Sequence, residues 1–171
     1  MAANPDGSTI AVAAPSTLDR VWFLETSGAR VSDTSVIFAA SAGRGIVMRH
    51  ARPDDAVFLI LDFPASTDTT RSRDSVHVRI EPVAGRYAFT LVTPDKLGAG
   101  VHATFSYAIH FREPVDANAK YPSAGAFEQA LSPALLGAAN KVQFIPGMRP
   151  AADVIRFPVT TAGNYALVAA R

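Results

Sequence analysis

Cysteine is absent from the 171 residues. That excludes disulfides, thiolate metal ligands and thiol nucleophiles. Long apolar runs are absent as well. No run exceeds residues 56–61 in length, and a membrane-spanning helix needs about 20 apolar residues. Charge of one sign is missing too: 16 Lys and Arg stand against 15 Asp and Glu, a net +1. Such a balance projects no strong field. The basic residues are scattered, with Arg44, Arg49 and Arg52 the nearest to a cluster, so nucleic acid is not an expected partner. The opening residues, Met1 to Gly7, show neither the basic nor the apolar region of a secretory leader. A cytoplasmic protein, a processed chain and an added Met1 all fit, and an extracytoplasmic setting (periplasmic or secreted) is favoured over a cytoplasmic one.

Catalytic motifs are also wanting. There is no Gly-x-Ser-x-Gly elbow, no phosphate-binding loop and no Gly-x-Gly-x-x-Gly. Gly43-Arg44-Gly45 is too short to cradle a phosphate and reads as a turn. His50, His77, His102 and His110 lack metal-site spacing. Placed on one continuous strand, His102 and His110 would be roughly 26 Å apart, so ordinary surface imidazoles are the expectation. Asp62, Asp68 and Asp74 recur through one segment, but Arg71 and Arg73 among them would repel a calcium ion. No cofactor and no metal is expected. Trp22, Tyr121 and Phe127 are candidates for a sugar platform, with core packing the preferred reading.

What is present is apolar and alternating. Apolar residues make up 49%, with a mean hydropathy of +0.15. Either the core is large or apolar surface meets a partner. Residues 1–20 begin with a strong turn signal, Asn4-Pro5-Asp6-Gly7-Ser8. They read as an extended arm, with one short edge strand at 10–14. From residue 21 onward the period is two. Strands are expected over 21–25, 36–39 and 46–48, the last two joined as a hairpin by Gly43 and Gly45. Residues 56–62 suit a strand buried on both faces. Further strands are expected over 75–80, 85–92, 101–111, 141–145, 154–159 and 163–169. Residues 64–74 form a polar loop. Residues 112–140 make a long irregular excursion, with Pro114, Pro122 and Pro133 opposing regular structure and a short helix within 127–136.

Ala84-Gly85-Arg86-Tyr87-Ala88-Phe89 is echoed by Ala162-Gly163-Asn164-Tyr165-Ala166-Leu167. A Gly-x-Tyr leading into a strand resembles the tyrosine corner of immunoglobulin-like sandwiches, where the phenol bonds backbone at the sheet corner. Both copies lack the partner cysteine, so the resemblance is one of architecture. The echo fits two related halves, about 21–100 and 101–171, and fits common hairpin grammar equally. The fold class expected is all-β: an antiparallel β-sandwich over 21–171, immunoglobulin-like in style.

The leading functional expectation is a non-catalytic structural or interaction module. It would be an accessory subunit of a larger assembly, with protein partners that include subunits of a membrane complex. The surfaces singled out for partner binding are the arm (Asn4, Pro5, Ile10, Val12) and the excursion (Tyr121, Phe127, Leu131, Leu135). A carbohydrate- or polymer-binding sandwich is the alternative. An enzyme whose site is assembled from distant strands is the third reading.

Overall fold

Period-two segments become strands because successive side chains leave a strand on opposite faces, so one apolar row must be covered. A computed structural model describes residues 7–66 and 74–171. In chain order the strands are β1 (Ser8–Ile10), β2 (Ser16–Thr17), β3 (Val21–Phe23), β4 (Glu25–Thr26), β5 (Thr34–Ala39), β6 (Arg44–Arg49), β7 (Val57–Phe63), β8 (Ser75–Pro82), β9 (Ala88–Val92), β10 (His102–Ser106), β11 (Phe111–Arg112), β12 (Ser132–Leu136), β13 (Lys141–Phe144), β14 (Gly147–Ala151), β15 (Val154–Pro158) and β16 (Gly163–Ala170). One helix, α1 (Ala124–Gln129), precedes β12.

The fold is an all-β sandwich. A six-stranded sheet runs β1-β14-β15-β10-β7-β6. An eight-stranded sheet runs β2-β13-β12-β16-β9-β8-β5, with β3 also on β16. The pairings are antiparallel throughout. Both sheets take strands from residues 21–100 and from 101–171. The immunoglobulin-like style does not follow from these strand orders.

The core lies between the sheets. Leu59, Leu61, Ala103, Phe105, Ile155 and Phe157 of one sheet meet Val78, Ile80, Phe89, Leu91, Tyr165 and Leu167 of the other. A second apolar layer covers the outer face of the eight-stranded sheet. Ala88, Ala134, Val142, Phe144, Ala166 and Val168 are buried there, beside Val21 and Phe23. Two apolar layers account for the high apolar fraction.

Several expectations change. Residues 40–43 do not close a hairpin: β5 and β6 belong to different sheets, and the turn arches across the sandwich end. Gly43, at φ 66°, is required there, since a Cβ would lie 2.7 Å from the Phe63 carbonyl oxygen. β7 is not buried on both faces, because Ile60 and Asp62 lie half-buried on its outer side. The strand expected over 101–111 ends at Ser106. The Tyr107 side chain is the last in the inner row, and residues 108–110 turn out, leaving Ile109 72% exposed. Phe111 then pairs with Thr26 of β4.

The helix comes earlier than expected, and β12 contains Pro133. The Pro133 carbonyl accepts from the Ile145 amide at 2.9 Å. Its ring nitrogen therefore points the same way, at the end of β13, and no bond to β16 is lost. The arm's strand is Ser8–Ile10 rather than 10–14, and it pairs with β14.

Arg149 of β14 ties the excursion to the six-stranded sheet. Its guanidinium donates to the Glu128 and Leu131 carbonyls (2.7 and 2.9 Å), just where α1 ends, and to the Tyr107 hydroxyl at 2.8 Å. The Tyr107 hydroxyl in turn donates to the Ala152 carbonyl at 3.0 Å. A planar fork satisfies such divergent acceptors better than an ammonium does. Arg149→Ala is expected to lower unfolding free energy by about 2–3 kcal/mol, read from urea midpoints. Arg149→Lys is expected to recover less than half of that loss.

Candidate functional site

Loops 27–33, 50–56, 83–87 and 107–110 gather at one end of the sandwich, and a polar cluster sits among them. His50 follows β6 and forms a bridge with Val31. It is the one buried polar residue of the described core, at 2% exposure. Its Nδ1 donates to the Ala29 carbonyl at 2.7 Å. A carbonyl can only accept, so the neutral ring keeps its lone pair on Nε2. That atom is buried and unpartnered.

His110 packs on His50, with ring centroids 4.5 Å apart. The Nε2 of His110 bonds the Asp54 carboxylate. Phe58 meets the His50 ring edge-on at 5.5 Å and stacks on Tyr87 at 5.3 Å. Burial pushes the Tyr87 phenol up to about 12; the Thr26 side chain opposes the rise and the Asp54 charge adds to it. Gly28 is what allows the two imidazoles to approach the chain. A Cβ there would lie 2.5 Å from His50 and 2.8 Å from His110. A cleft of about 120 Å³ lies beside the cluster, lined by Gly28, His50, Phe58 and Gly85.

The expectation of four ordinary surface imidazoles therefore fails for His50 and His110. His102 and His110 do not share one continuous strand, since β10 ends at Ser106. His77 and His102 do lie on outer faces, one on each sheet. His77 Nε2 is 3.1 Å from the Ser75 hydroxyl, and His102 Nδ1 donates to the Gly100 carbonyl at 2.7 Å. Among the described residues, no group of three or more His, Asp or Glu side chains is arranged to hold a metal ion. Asp62 faces His102 across β7 and β10. Asp68, Arg71 and Arg73 lie outside the described residues.

The expected partner-binding residues divide. Asn4 and Pro5 lie outside the described residues. Val12 is exposed at 56%. Ile10 and Leu135 are half-buried against the core. Phe127 and Leu131 are wholly buried in it, so neither side chain reaches a partner in this conformation. Tyr121 donates to the Ala170 carbonyl at 2.7 Å. The structure does bring Trp22, Tyr121 and Phe127 together, at centroid distances of 5.8 and 5.5 Å. They meet edge to face rather than in one plane, which is core packing and not a flat sugar platform.

Tyr165 bonds as a tyrosine corner does, donating to the Thr161 carbonyl four residues upstream at 2.7 Å. Tyr87, its counterpart in the echo, instead stacks on Phe58. The strands flanking the echo also differ. β8 and β9 are neighbours in one sheet, whereas β15 and β16 lie in opposite sheets.

Composition and spacing do not single out one further surface, the outer edge of β5. Among the described residues, this strand ends the eight-stranded sheet and pairs only with β8. Its six residues, Thr-Ser-Val-Ile-Phe-Ala, include no charge and no proline. Ile37 is 68% exposed, and Val92 lies exposed two strands away on the same face. The available signal was the uncharged run itself; the missing information was that no strand follows on that side. At the other sheet's edge, β6 has exposed Arg44 and Arg49 at its two ends.

The fold and surface define a class, an antiparallel β-sandwich whose β5 edge carries neither charge nor proline. No family model, curated protein or solved structure matches the chain.

Two outcomes follow from the polar cluster. Gly28→Ala is expected to destabilise by about 1–3 kcal/mol through overpacking against both imidazoles, measured by urea unfolding. The second concerns alkali. Tyr87 and Tyr107 are held neutral by burial, each up to about 12, against about 10 unfolded. Their contribution is complete below about pH 10 and is lost as pH rises through about 12. Tyr87→Phe and Tyr107→Phe are each expected to flatten the fall in stability across that window. An unchanged pH profile in both would contradict the assignment.

Proposed function

We propose that the chain is a non-catalytic β-sandwich that serves as a structural, interacting component of a protein assembly. The observation that carries this reading is the β5 edge: six residues without charge or proline, with no strand among the described residues on the side away from β8, and with Ile37 exposed. Soluble sheet proteins usually blunt such an edge with charge, proline, a bulge or a covering segment, because unpaired N–H and C=O groups invite another strand. Strand addition is an established route by which sheets bind polypeptides. The polar cluster supports the same reading. His50 bonds the Ala29 carbonyl and packs on His110, His110 bonds Asp54, and Phe58 links His50 to Tyr87, which joins four loops at one end.

The test is the size of the particle that contains the chain in gentle extracts of its own cells. The expected result is recovery in an assembly clearly larger than a single 18.1 kDa chain. Recovery as the free single chain would contradict the proposal.

A further inference from the structure

We infer that the occupant of the β5 edge is the β5 of a second copy, paired antiparallel about Ile37, so that two eight-stranded sheets become one. This rests on the reading of the edge as an interaction surface and adds its partner and register.

Hydrogen-bond parity is the first support. The Ala40 amide donates to the Asp74 carbonyl at 2.8 Å, and Ala40 is the residue next beyond the Ala39–Ser75 pair. Alternate residues along a strand direct their backbone groups to opposite sides. Residues 34, 36 and 38 therefore bond β8. Ser35, Ile37 and Ala39 turn their amides to the free edge, as Ser35 and Ile37 do their carbonyls. The Ala39 carbonyl accepts from Ala42 within the turn. β8 obeys the same parity: the His77 amide points away from β5 and donates to the Asp95 carboxylate at 2.9 Å.

Self-complementarity is the second. A two-fold axis at Ile37 faces Ile37 with its own copy, in a register where both direct backbone groups across the joint. It sets Ser35 opposite Ala39 on the outer face. It sets Val36 opposite Phe38 on the inner face, where both already pack against the core. No charged residue of β5 is brought against a like charge, because β5 has none. The acidic start of each strand, Asp33, comes level with the other copy's turn, which leads into Arg44. The neighbouring β6 edge behaves oppositely: the same operation there would bring Arg44 of one copy towards Arg49 of the other. The joint is therefore confined to the eight-stranded sheet, and its symmetry closes it at two copies.

The experiment is sedimentation of the purified full chain over a concentration series, with residue-resolved amide exchange at its two ends. The expected result is a reversible dimer, half-formed at about 10 µM as suits a small interface. Amides of Ile37 and Ala39, whose acceptors across the joint are the free carbonyls of Ile37 and Ser35, should slow as the dimer forms. Those of Val36 and Phe38 should be protected at every concentration. Ile37→Pro removes one outward donor and no bond to β8, and Ile37→Lys adds an edge charge while keeping the backbone. Both should remain folded and monomeric. A wild-type chain that stays monomeric at all concentrations overturns the inference, as does a dimer that survives Ile37→Lys. The purified chain alone decides this point. If it is a monomer while the chain in cell extracts is assembled, the pairing falls and the proposed function stands.

Discussion

Phe105 sits where everything else in the molecule converges. Its ring touches Phe58, Tyr87, Phe89 and Phe157, at centroid distances from 5.5 to 6.0 Å. β10, which bears it, pairs with β15 of the later chain on one side and β7 of the earlier chain on the other. Two sheets and two stretches of sequence thus share one packed interior. Aromatic rings bury large areas and prefer these tilted or offset contacts. A sandwich built this way needs no disulfide, which agrees with a chain that has no cysteine.

The inner rows were legible because they obey period two. Val76, Val78 and Ile80 alternate with His77 and Arg79, and Tyr87, Phe89 and Leu91 follow the same rule; all six apolar residues are buried. What periodicity cannot give is where a strand stops or which sheet it joins. Residues 101–111 alternate without a break in sequence. The chain nevertheless leaves the sheet after Tyr107, because Tyr107 is fixed to Ala152 and the carbonyl of His110 is taken by Ser27. Those partners are distant in sequence and leave no local mark. β14 carries no period-two signal, since Gly147 and Pro150 interrupt any apolar alternation. It forms because β1 and β15 flank it.

The polar cluster was illegible for the same reason. His50 and His110 are sixty residues apart in sequence, and only a strand that ends early lets them meet. The glycine that admits them, Gly28, has no signature of its own. The β5 edge was legible in composition and illegible in consequence, since an uncharged strand at a sheet's centre and one at its margin look alike in sequence. Position in the strand order turns the same six residues from core material into a surface with unpaired backbone groups.

Residues 21–100 and 101–171 share a single cooperative interior. Equilibrium urea unfolding tests this directly when the fluorescence of Trp22, the sole tryptophan, is followed alongside far-ultraviolet circular dichroism. Coincident transitions with one midpoint are predicted. Two separated midpoints would mean that the halves hold together independently, and would contradict a core centred on Phe105.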